Sequence, residues 1–334
     1  MDIDVLDLCC KTSPKNELYP LSKDKDKDKY RVKNWPSYNN GLKQRGSISL
    51  WLSESAIKGW LVTTKNCRRG RPLQYSDLAI TTCLTIRKVF RLGLRQCAGF
   101  IESLFSLLKI NLPVPDYTIL CRRAAKLSIH LSSLLDSSAG PIDIVVDSTG
   151  LKVYGEGEWK VRKHGAGKHR TWMKLHLAID ASTQQIKSCK LTSNAVDDGS
   201  AVEELLSGID CNIKSFIGDG AYDKVKVRKS LPPEVEQIIP PQHNAVKSKG
   251  NEPHLSSRDQ AIKSISEVGR KQWKHDIGYH KRSLVETTMY RYKTLIGAGL
   301  QSREIAYQLT EALISCSILN AMLQLAKPIS VKVN

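Results

Sequence analysis

The sequence IDIVVDSTG at residues 142–150 decides the fold class of this chain. Its first five residues, Ile142–Val146, form a β-branched run that is typical of a buried strand, and Asp147 follows that run directly. An acid at the end of a buried strand of an open α/β sheet lies where reactive groups gather. Asp147 is therefore a candidate functional residue, with the alternative that it only caps a turn with Ser148 and Gly150.

Alternating strand and helix patterns follow Pro141 and predict an α/β domain with a mixed sheet and flanking helices. The other strand-like runs are Thr171–Ile179, Ser215–Ile217 and Gln237–Ile239. The helix-like stretches are Gly199–Leu206, Ile262–Lys274, His280–Ile296 and a last one from Glu304. This domain is expected to span residues 139–328.

The residues upstream of this domain predict two further regions. Residues 1–29 end in the alternating run KDKDKDK, which offers no apolar side chain for a core, so a disordered charged tail is expected there. Residues 30–138 then show helical periodicity, with only short candidates for extended structure. They predict a small, mostly helical DNA-binding domain.

A possible helix-turn-helix lies within that helical region, at residues 94–127. Leu94–Leu108 has the pattern of one helix, and the two prolines that follow exclude a continuous helix. Asp116 is a candidate N-cap for a second helix, which would present Arg122 and Arg123 to solvent and to DNA. The alternative is an ordinary packed helical hairpin.

The charge balance indicates a polyanionic partner. Lys and Arg residues number 51 against 33 Asp and Glu, which gives a formal net charge of +18 over 334 residues. Nucleic acid suits such a chain, although a basic protein without that partner has the same composition. The nine cysteines include no C-x-x-C pair and the first thirty residues lack an apolar signal core, so a cytoplasmic protein with reduced thiols is expected. The longest apolar stretch is interrupted by polar residues and predicts a packing helix rather than a membrane span.

A second acid repeats the arrangement at Asp147. In SFIGDGAYD, residues 215–223, Asp219 follows a short apolar strand and is flanked by Gly218 and Gly220, which permit close approach of a ligand or backbone. Asp223 is expected to cap the helix that follows. Two acids at the ends of two strands could hold a divalent cation such as Mg²⁺, which prefers hard oxygen ligands.

The most specific stretch is YHKRSLVETTMYRYK at residues 279–293. In a helix, residues at offsets 0, 3, 7 and 14 of this stretch share one face, and these are Tyr279, Arg282, Glu286 and Lys293. An adjacent apolar stripe is expected to fix the helix against the sheet. It consists of Val285, Met289, Tyr292 and Ile296.

That helix face suits a phosphodiester substrate. Glu286 would complete metal ligation, Arg282 and Lys293 would neutralise phosphate oxygens, and the Tyr279 hydroxyl would donate a hydrogen bond to the DNA backbone. The alternative is a solvated helix face with an ordinary salt link between Arg282 and Glu286.

Further basic residues surround a Gly-containing turn between two predicted strands. They are expected to bind the DNA backbone, whereas a solvated hairpin tip has a similar composition. These residues are Arg162, Lys163, Lys168, Arg170 and, on the next strand, Lys174.

The residues around the acids resemble a known family. Tyr279, Arg282, Glu286 and Lys293 match, at every spacing, the Tyr-x2-Arg-x3-Glu-x6-Lys signature of bacterial insertion-sequence transposases with a DDE triad. The segments YRVKNWPSYNNGLKQRG, DSTGLKVYGEGEWKVRKHG, RTWMKLHLAID and GDGAYD are similar to the fifth insertion-sequence family in the usual naming.

The resemblance implies a ribonuclease-H-like catalytic domain in which Asp147 and Asp219 come from strands and Glu286 from a helix. It implies two Mg²⁺ or Mn²⁺ ions per active site, held by these three catalytic acids. The implied reaction is cleavage of phosphodiester bonds at transposon ends, followed by attack of the freed 3′-OH on target DNA. The implied partners are double-stranded DNA and a second copy of the chain on that DNA, in the cytoplasm of a bacterium and without a membrane.

Two other functions fit the same residues. A ribonuclease-H-like nuclease that cuts DNA without joining it would use the same carboxylates. A catalytically silent DNA-binding protein would be indicated by loss of one acid, but all three acids are present. A phosphatase of the haloacid dehalogenase type is disfavoured because Thr149 stands where that class needs a second acid.

Overall fold

A computed structural model describes residues 29–63, 72–131, 140–155, 171–250 and 252–333. The described residues fall into two compact units, divided at Trp35 and at Lys327. Apart from Lys29, the predicted charged tail lies outside the described residues.

The smaller unit pairs two short strands. β1 (Lys29–Val32) runs antiparallel to β7 (Ser330–Val333). The pairing continues into a loop, where the Lys33 amide donates to the Ile329 carbonyl at 2.8 Å. This is extended structure at the start of a region whose periodicity is mainly helical.

The larger unit, Pro36–Lys327, begins with helices. The first one starts at Trp35, and the set is α1 (Trp35–Gln44), α2 (Ile48–Trp51), α3 (Glu54–Lys58), α4 (Asp77–Val89), α5 (Leu94–Leu107) and α6 (Tyr117–Ala124). The helix predicted from Leu94 is confirmed, and Asp116 caps α6 by accepting a hydrogen bond from the Thr118 amide at 2.8 Å. The intervening proline turn is held in place because its Pro113 carbonyl accepts from the Trp60 indole at 2.8 Å.

A five-stranded mixed sheet follows, as the alternating patterns predict. Its strands are β2 (Ile142–Lys152), β3 (Trp172–Asp180), β4 (Ile186–Ser193), β5 (Ile213–Ile217) and β6 (Glu236–Ile238). Their spatial order is β4-β3-β2-β5-β6, with antiparallel pairing on the β4 and β3 side of β2 and parallel pairing on the β5 and β6 side.

Strand β2 is longer than its apolar run. The sequence predicts an end at Val146, whereas the strand continues to Lys152 because antiparallel pairing with β3 extends to the pair Lys152 and Trp172. The backbone hydrogen bonds of this pairing do not depend on apolar side chains, so the polar residues after Val146 remain in the strand. Asp147 therefore lies within β2 and not after it.

Further helices alternate with these strands or follow them along the chain. They are α7 (Val202–Ser207), α8 (Val225–Ser230), α9 (Ser256–Val268), α10 (Arg270–Asp276), α11 (Ser283–Arg291) and α12 (Ile305–Leu325). The single helix predicted over Ile262–Lys274 is wrong, because α9 and α10 are separated by Gly269 at φ +82°, a conformation that interrupts a helix. The predicted helix over His280–Ile296 is a 3₁₀ turn (Tyr279–Arg282), then α11, then a π-helical turn (Tyr292–Ile296).

Two apolar cores occupy the two faces of the sheet. One contains Ile144, Val146 and Phe216, and the other contains Val145, Leu175 and the apolar residues of α11 and α12. The second core also includes α4 and α5, so the predicted division between 30–138 and 139–328 crosses one continuous core. A buried ion pair strengthens the connection, since Lys88 of α4 donates to Glu311 of α12 at 2.6 Å.

Helix α12 has the role that its interrupted apolar sequence predicts. It starts at Ile305 and packs against both α4 and β4, and its Asn320 side chain exchanges hydrogen bonds with the backbone of Ile186 at 2.8 and 2.9 Å. Throughout the described ranges, no helix combines the length and apolar character needed to cross a membrane.

Candidate active site

The sheet places two aspartates side by side. Val145 and Ile217 form the last parallel pair between β2 and β5. Asp147 and Asp219 each follow that pair by two residues, so both lie where the two parallel strands diverge. Asp219 thus follows its strand, as predicted. Asp147 lies beyond the part of β2 that pairs with β5, but it is still within the part that pairs with β3.

Asp147 is enclosed but still reaches solvent, with 18% of its side chain exposed. Its Oδ1 accepts from the Ser148 amide at 2.8 Å and its Oδ2 accepts from Nη1 of Arg282 at 3.0 Å. Burial raises the pKa of Asp147, and the charges of Asp219 and Glu286 add to that effect, against the opposing Ser148 amide and Arg282. The carboxylates are therefore close enough to repel one another.

Asp219 is held by the turn that follows it. Its Oδ1 accepts from the Ala221 amide at 2.9 Å, which caps the 3₁₀ turn Gly220–Tyr222. Gly218, the residue before it, is in tight contact with Tyr222: a Cβ added there would lie 2.9 Å from the ring. The glycine allows the aromatic ring to pack directly beneath the backbone that carries Asp219.

Helix α11 supplies the third acid. Val285 and Met289 are buried against the sheet, as the apolar stripe predicts, and Glu286 on the neighbouring face is half exposed. Arg282 donates to Oε1 of Glu286 through Nη2 while its Nη1 binds Asp147. The salt link expected for an ordinary helix face is present, but the same guanidinium also reaches across to the sheet.

Tyr279 lies within the electrostatic influence of these acids, and Lys293 forms no described ion pair with them. Burial raises the pKa of the half-buried Tyr279 hydroxyl, and the charges of Asp219, Asp147 and Glu286 raise it further against the charge of Arg282. Lys293 is exposed on the π-helical turn, where the rotation per residue differs from the 100° of an α-helix. Among the described residues, no ion pair connects Lys293 with the three acids.

A second ion pair that the sequence did not reveal fixes the 3₁₀ turn. Lys281 binds Oδ2 of Asp143 at 2.7 Å, and the Ser215 hydroxyl donates to Oδ1 of the same acid at 2.8 Å. Asp143 lies four residues before Asp147 on the same face of β2, because side chains alternate along a strand. Lys281 and Arg282 thus attach the 3₁₀ turn to two acids of β2. The spacing of four residues between these acids is the sequence feature from which the second ion pair could have been predicted.

The structure describes only some of the other predicted DNA-contacting residues. Arg162, Lys163, Lys168 and Arg170 lie outside the described residues. Lys174 donates to the Val196 carbonyl at 2.9 Å and to Asp198 at 3.1 Å.

The two arginines of α6 differ from each other. Arg122 is exposed and lies along its own helix, with its Nε 3.3 Å from the Thr118 carbonyl. Arg123 turns toward α4, donates to the Tyr75 carbonyl at 3.0 Å and pairs with Asp77. Arg122 is thus the one more accessible to a partner.

The three acids have the ligand chemistry of a divalent-metal site, and Arg282 bridges two of them. Within the described part of the chain, no three His, Cys, Asp or Glu side chains already stand at metal-binding geometry. Nevertheless Asp147, Asp219 and Glu286 offer only carboxylate oxygens, which Mg²⁺ and Mn²⁺ prefer, and their mutual repulsion would be relieved by a cation. Arg282 supplies the only positive charge bonded to Asp147 and Glu286 among the described ion pairs.

Two protein families and one solved structure are similar to this chain to different degrees. Two protein-family models, both described as transposase DDE domain, match residues 43–156 and 138–320, and the second match covers more than half of the chain. One similar solved structure is a piggyBac transposase in a synaptic complex with hairpin DNA, studied by cryo-electron microscopy. The two chains are 11% identical over 85% of this chain and 74% of that one, and the TM-score of 0.35 is too low to argue for a shared fold.

Proposed function

The chain belongs to the DDE transposase family, and we propose that it cuts phosphodiester bonds at transposon ends and joins the freed 3′-OH to target DNA. The observation that carries this proposal is the convergence of Asp147, Asp219 and Glu286, from two neighbouring strands and one helix, around Tyr279 and Arg282. These five residues combine the acids and the phosphate-binding groups that such a reaction needs.

The proposal includes a ribonuclease-H-like fold and a bacterial insertion sequence of the fifth family. The strand order supports the fold, since three antiparallel strands are followed by two parallel ones and the acids meet at the junction of the two arrangements. The complete Tyr-x2-Arg-x3-Glu-x6-Lys spacing supports the family branch. The proposed location is the bacterial cytoplasm, on the DNA of the nucleoid.

Asp147, Asp219 and Glu286 would hold two Mg²⁺ or Mn²⁺ ions. When bound, such ions activate a water or a 3′-hydroxyl and stabilise the leaving oxygen. The chain itself orients the carboxylates: the Ser148 amide fixes one oxygen of Asp147, and the Ala221 amide fixes one oxygen of Asp219.

Tyr279 and Arg282 would bind the DNA strand. The Tyr279 hydroxyl is protonated at neutral pH, as an ordinary phenol is, and its raised pKa extends that state to higher pH, so it can donate a hydrogen bond to a phosphate oxygen. Arg282 presents a planar guanidinium that matches phosphate geometry. Lys293, exposed at the end of the same segment, is proposed to contact the backbone farther along.

The partners are proposed to be transposon-end and target DNA, with two copies of the chain on the DNA. The formal net charge of +18 supports a polyanionic partner. Exposed Arg122 and the basic residues Arg162, Lys163, Lys168 and Arg170 extend the proposed contact surface, and the helices α5 and α6 are the proposed DNA-reading hairpin.

A cleavage and joining experiment tests this function. Purified protein would be incubated with candidate end DNA, target DNA and Mg²⁺ or Mn²⁺, and the products would be mapped at nucleotide resolution. We expect single-strand cleavage at the ends followed by covalent joining to the target. Cleavage without joining would instead identify a nuclease, and binding without cleavage would identify a catalytically silent DNA-binding protein.

Variants that replace each acid by its carboxamide test whether the three acids are required for cleavage. Asp147→Asn, Asp219→Asn and Glu286→Gln should each reduce cleavage at least about a thousandfold, because each removes a charged metal ligand. The matched controls are Asp210→Asn and Glu203→Gln, which change exposed acids outside the site and should cleave normally. Normal metal-dependent cleavage by any of the three site variants would refute the assignment.

A further inference from the structure

The same guanidinium that is proposed to bind DNA is bonded to two of the proposed metal ligands. We propose that Arg282 is a regulatory counter-ion: it holds Asp147 and Glu286 together in the DNA-free protein, competes with divalent metal for them, and is released when a DNA phosphate binds it. This inference rests on the proposed function and adds a coupling between metal and DNA.

The bridge is made by one side chain with two separate donors. Nη1 of Arg282 lies 3.0 Å from Oδ2 of Asp147, and Nη2 binds Oε1 of Glu286. The other oxygen of Asp147 already accepts from the Ser148 amide. Both oxygens of Asp147 therefore already accept a hydrogen bond, and a metal ion that binds Oδ2 would compete with Arg282 for it.

Competition follows from charge and space. A divalent cation between Asp147 and Glu286 would stand beside a guanidinium of like charge and would compete with it for the oxygens of the same two carboxylates. Repulsion between the two cations makes it unfavourable for both to bind these carboxylates at once. The bridge thus weakens metal binding in the absence of DNA.

DNA supplies an alternative partner for the displaced guanidinium. Arginine binds phosphate through two parallel N–H···O bonds, which replace the two bonds that it makes to the carboxylates. A phosphate near Arg282 would therefore lower the cost of metal binding, and metal binding would free Arg282 for phosphate. By thermodynamic linkage the two effects are equal in size.

The adjacent residue provides a matched comparison within the same 3₁₀ turn. Lys281 carries the same charge and also binds an acid of β2, but that acid is Asp143, outside the proposed metal ligands. Lys281→Gln and Arg282→Gln each remove one positive charge and each release an acid. Only the second change frees Asp147 and Glu286.

The experiment measures Mn²⁺ binding to the DNA-free full-length protein by electron paramagnetic resonance. Arg282→Gln should bind Mn²⁺ about tenfold more tightly than the wild type, whereas Lys281→Gln should change the affinity by about twofold at most. Adding Asp147→Asn to Arg282→Gln should abolish the gain, which locates the ion. Arg282→Lys keeps the charge but not the two-pronged bridge, and it should give an intermediate affinity.

A second measurement follows the reciprocal effect. Binding of a DNA duplex of arbitrary sequence is measured by fluorescence anisotropy with Ca²⁺ and with EDTA. Ca²⁺ should tighten binding to the wild type more than to Arg282→Gln, by about the same factor of ten. Equal tightening of both proteins would contradict the coupling.

The outcomes separate the inference from the function on which it rests. If Arg282→Gln and wild type bind Mn²⁺ equally at an Asp147-dependent site, the competition is refuted while the metal site stands. If neither protein shows Asp147-dependent Mn²⁺ binding, both the inference and the proposed metal chemistry are refuted.

Discussion

Two clusters in this molecule join aspartate to arginine, and they differ in solvent access. In the cluster at the candidate active site, Asp147 is 18% exposed and Glu286 52% exposed, and both share Arg282. In the second cluster, the side chains of Asp223 and Arg228 are each 1% exposed. The same chemical pair is therefore accessible in one place and sealed in the other.

The buried cluster satisfies every oxygen of its acid. Oδ1 of Asp223 accepts from Arg228 at 2.9 Å, and Oδ2 accepts from the Gln242 amide at 3.1 Å and from Arg258 at 3.4 Å. The expectation that Asp223 caps the next helix is wrong, because α8 begins after Lys224 and the carboxylate points to the arginines instead. The carboxylate of Asp223 is shielded from solvent and bonded to several donors, so it acts as a fixed anchor. Asp147 has one fixed donor, the Ser148 amide, and one solvent-accessible donor that it shares with Glu286, so it can exchange the second partner.

One short loop connects the two clusters. Asp219 and Asp223 are four residues apart, at the two sides of the 3₁₀ turn Gly220–Tyr222. Asp223 fixes the loop to α8 and α9 through Arg228 and Arg258. The anchor therefore fixes the far end of the 3₁₀ turn that Asp219 caps.

The largest effect on stability is expected at the anchor. Asp223→Asn should lower the free energy of unfolding by about 3 kcal/mol, because it leaves Arg228 charged and buried without its partner. Asp147→Asn is the matched change in the accessible cluster and should alter the free energy by less than about 1 kcal/mol. Urea unfolding measures both, and equal losses would show that the two clusters do not differ as described.

A smaller effect is expected in the loop between the clusters. Gly218→Ala should lower the free energy of unfolding by about 2 kcal/mol, because the new Cβ would lie 2.9 Å from the Tyr222 ring. Gly220→Ala is its control, since the nearest atom to that Cβ is 3.6 Å away, an ordinary contact. Equal unfolding midpoints for the two alanine variants would mean that the close packing of Tyr222 does not hold the loop.

The smallest expected effect is on how the free energy of unfolding depends on pH, and its sign differs between Asp147 and Asp143 of β2. The raised pKa of Asp147, caused first by burial, means that its stabilising contribution is present below the ordinary value of about 3.9 and is lost as pH rises through the folded-state pKa. Burial alone would also raise the pKa of Asp143, but hydrogen bonds from Lys281 and Ser215 lower it overall. The contribution of Asp143 is therefore present above the ordinary value and is lost as pH falls through the lowered pKa.

Unfolding experiments from about pH 7 to about pH 3 test these signs. Relative to wild type, Asp147→Asn should be slightly more stable at neutral pH, by less than about 1 kcal/mol, and should lose that advantage in acid. Asp143→Asn should be less stable at neutral pH, and its deficit should shrink in acid. The same slope for both variants would contradict the assigned causes.

Local sequence patterns predicted much of this structure. The mixed sheet, the buried stripe of α11 and the cap at Asp116 all depend on residues close together in the sequence. The length of β2 was missed because its second half is held by β3, a partner that a local pattern does not contain. Strand β4 was missed as well, since its polar residues do not form an apolar run.

The sequence predicted which residues belong to the candidate site, but it did not predict the bonds between them. The four-residue signature predicted Tyr279, Arg282, Glu286 and Lys293 on one helix face, but it assumed one uniform helix, whereas the segment is a 3₁₀ turn, an α-helix and a π-helical turn. The bond between Arg282 and Asp147 joins residues 135 positions apart, and only the packing of α11 on β2 creates it. The difference between Asp223, which is fixed, and Asp147, which can exchange a partner, depends on how deeply each is buried. The local sequence does not specify that burial.

The pairing of Val145 with Ile217 constrains how genes for such a protein can change. The acids stay together as long as each follows that pair by two residues, whatever the length of chain between the strands. Insertions in the surface loops between β3 and β5 add little closure entropy and leave the acids in place. A one-residue deletion within β5 is different, because it turns Asp219 to the opposite face of the sheet. The sheet therefore permits relatives of this chain to differ in loop length, provided that each acid still follows the Val145–Ile217 pair by two residues.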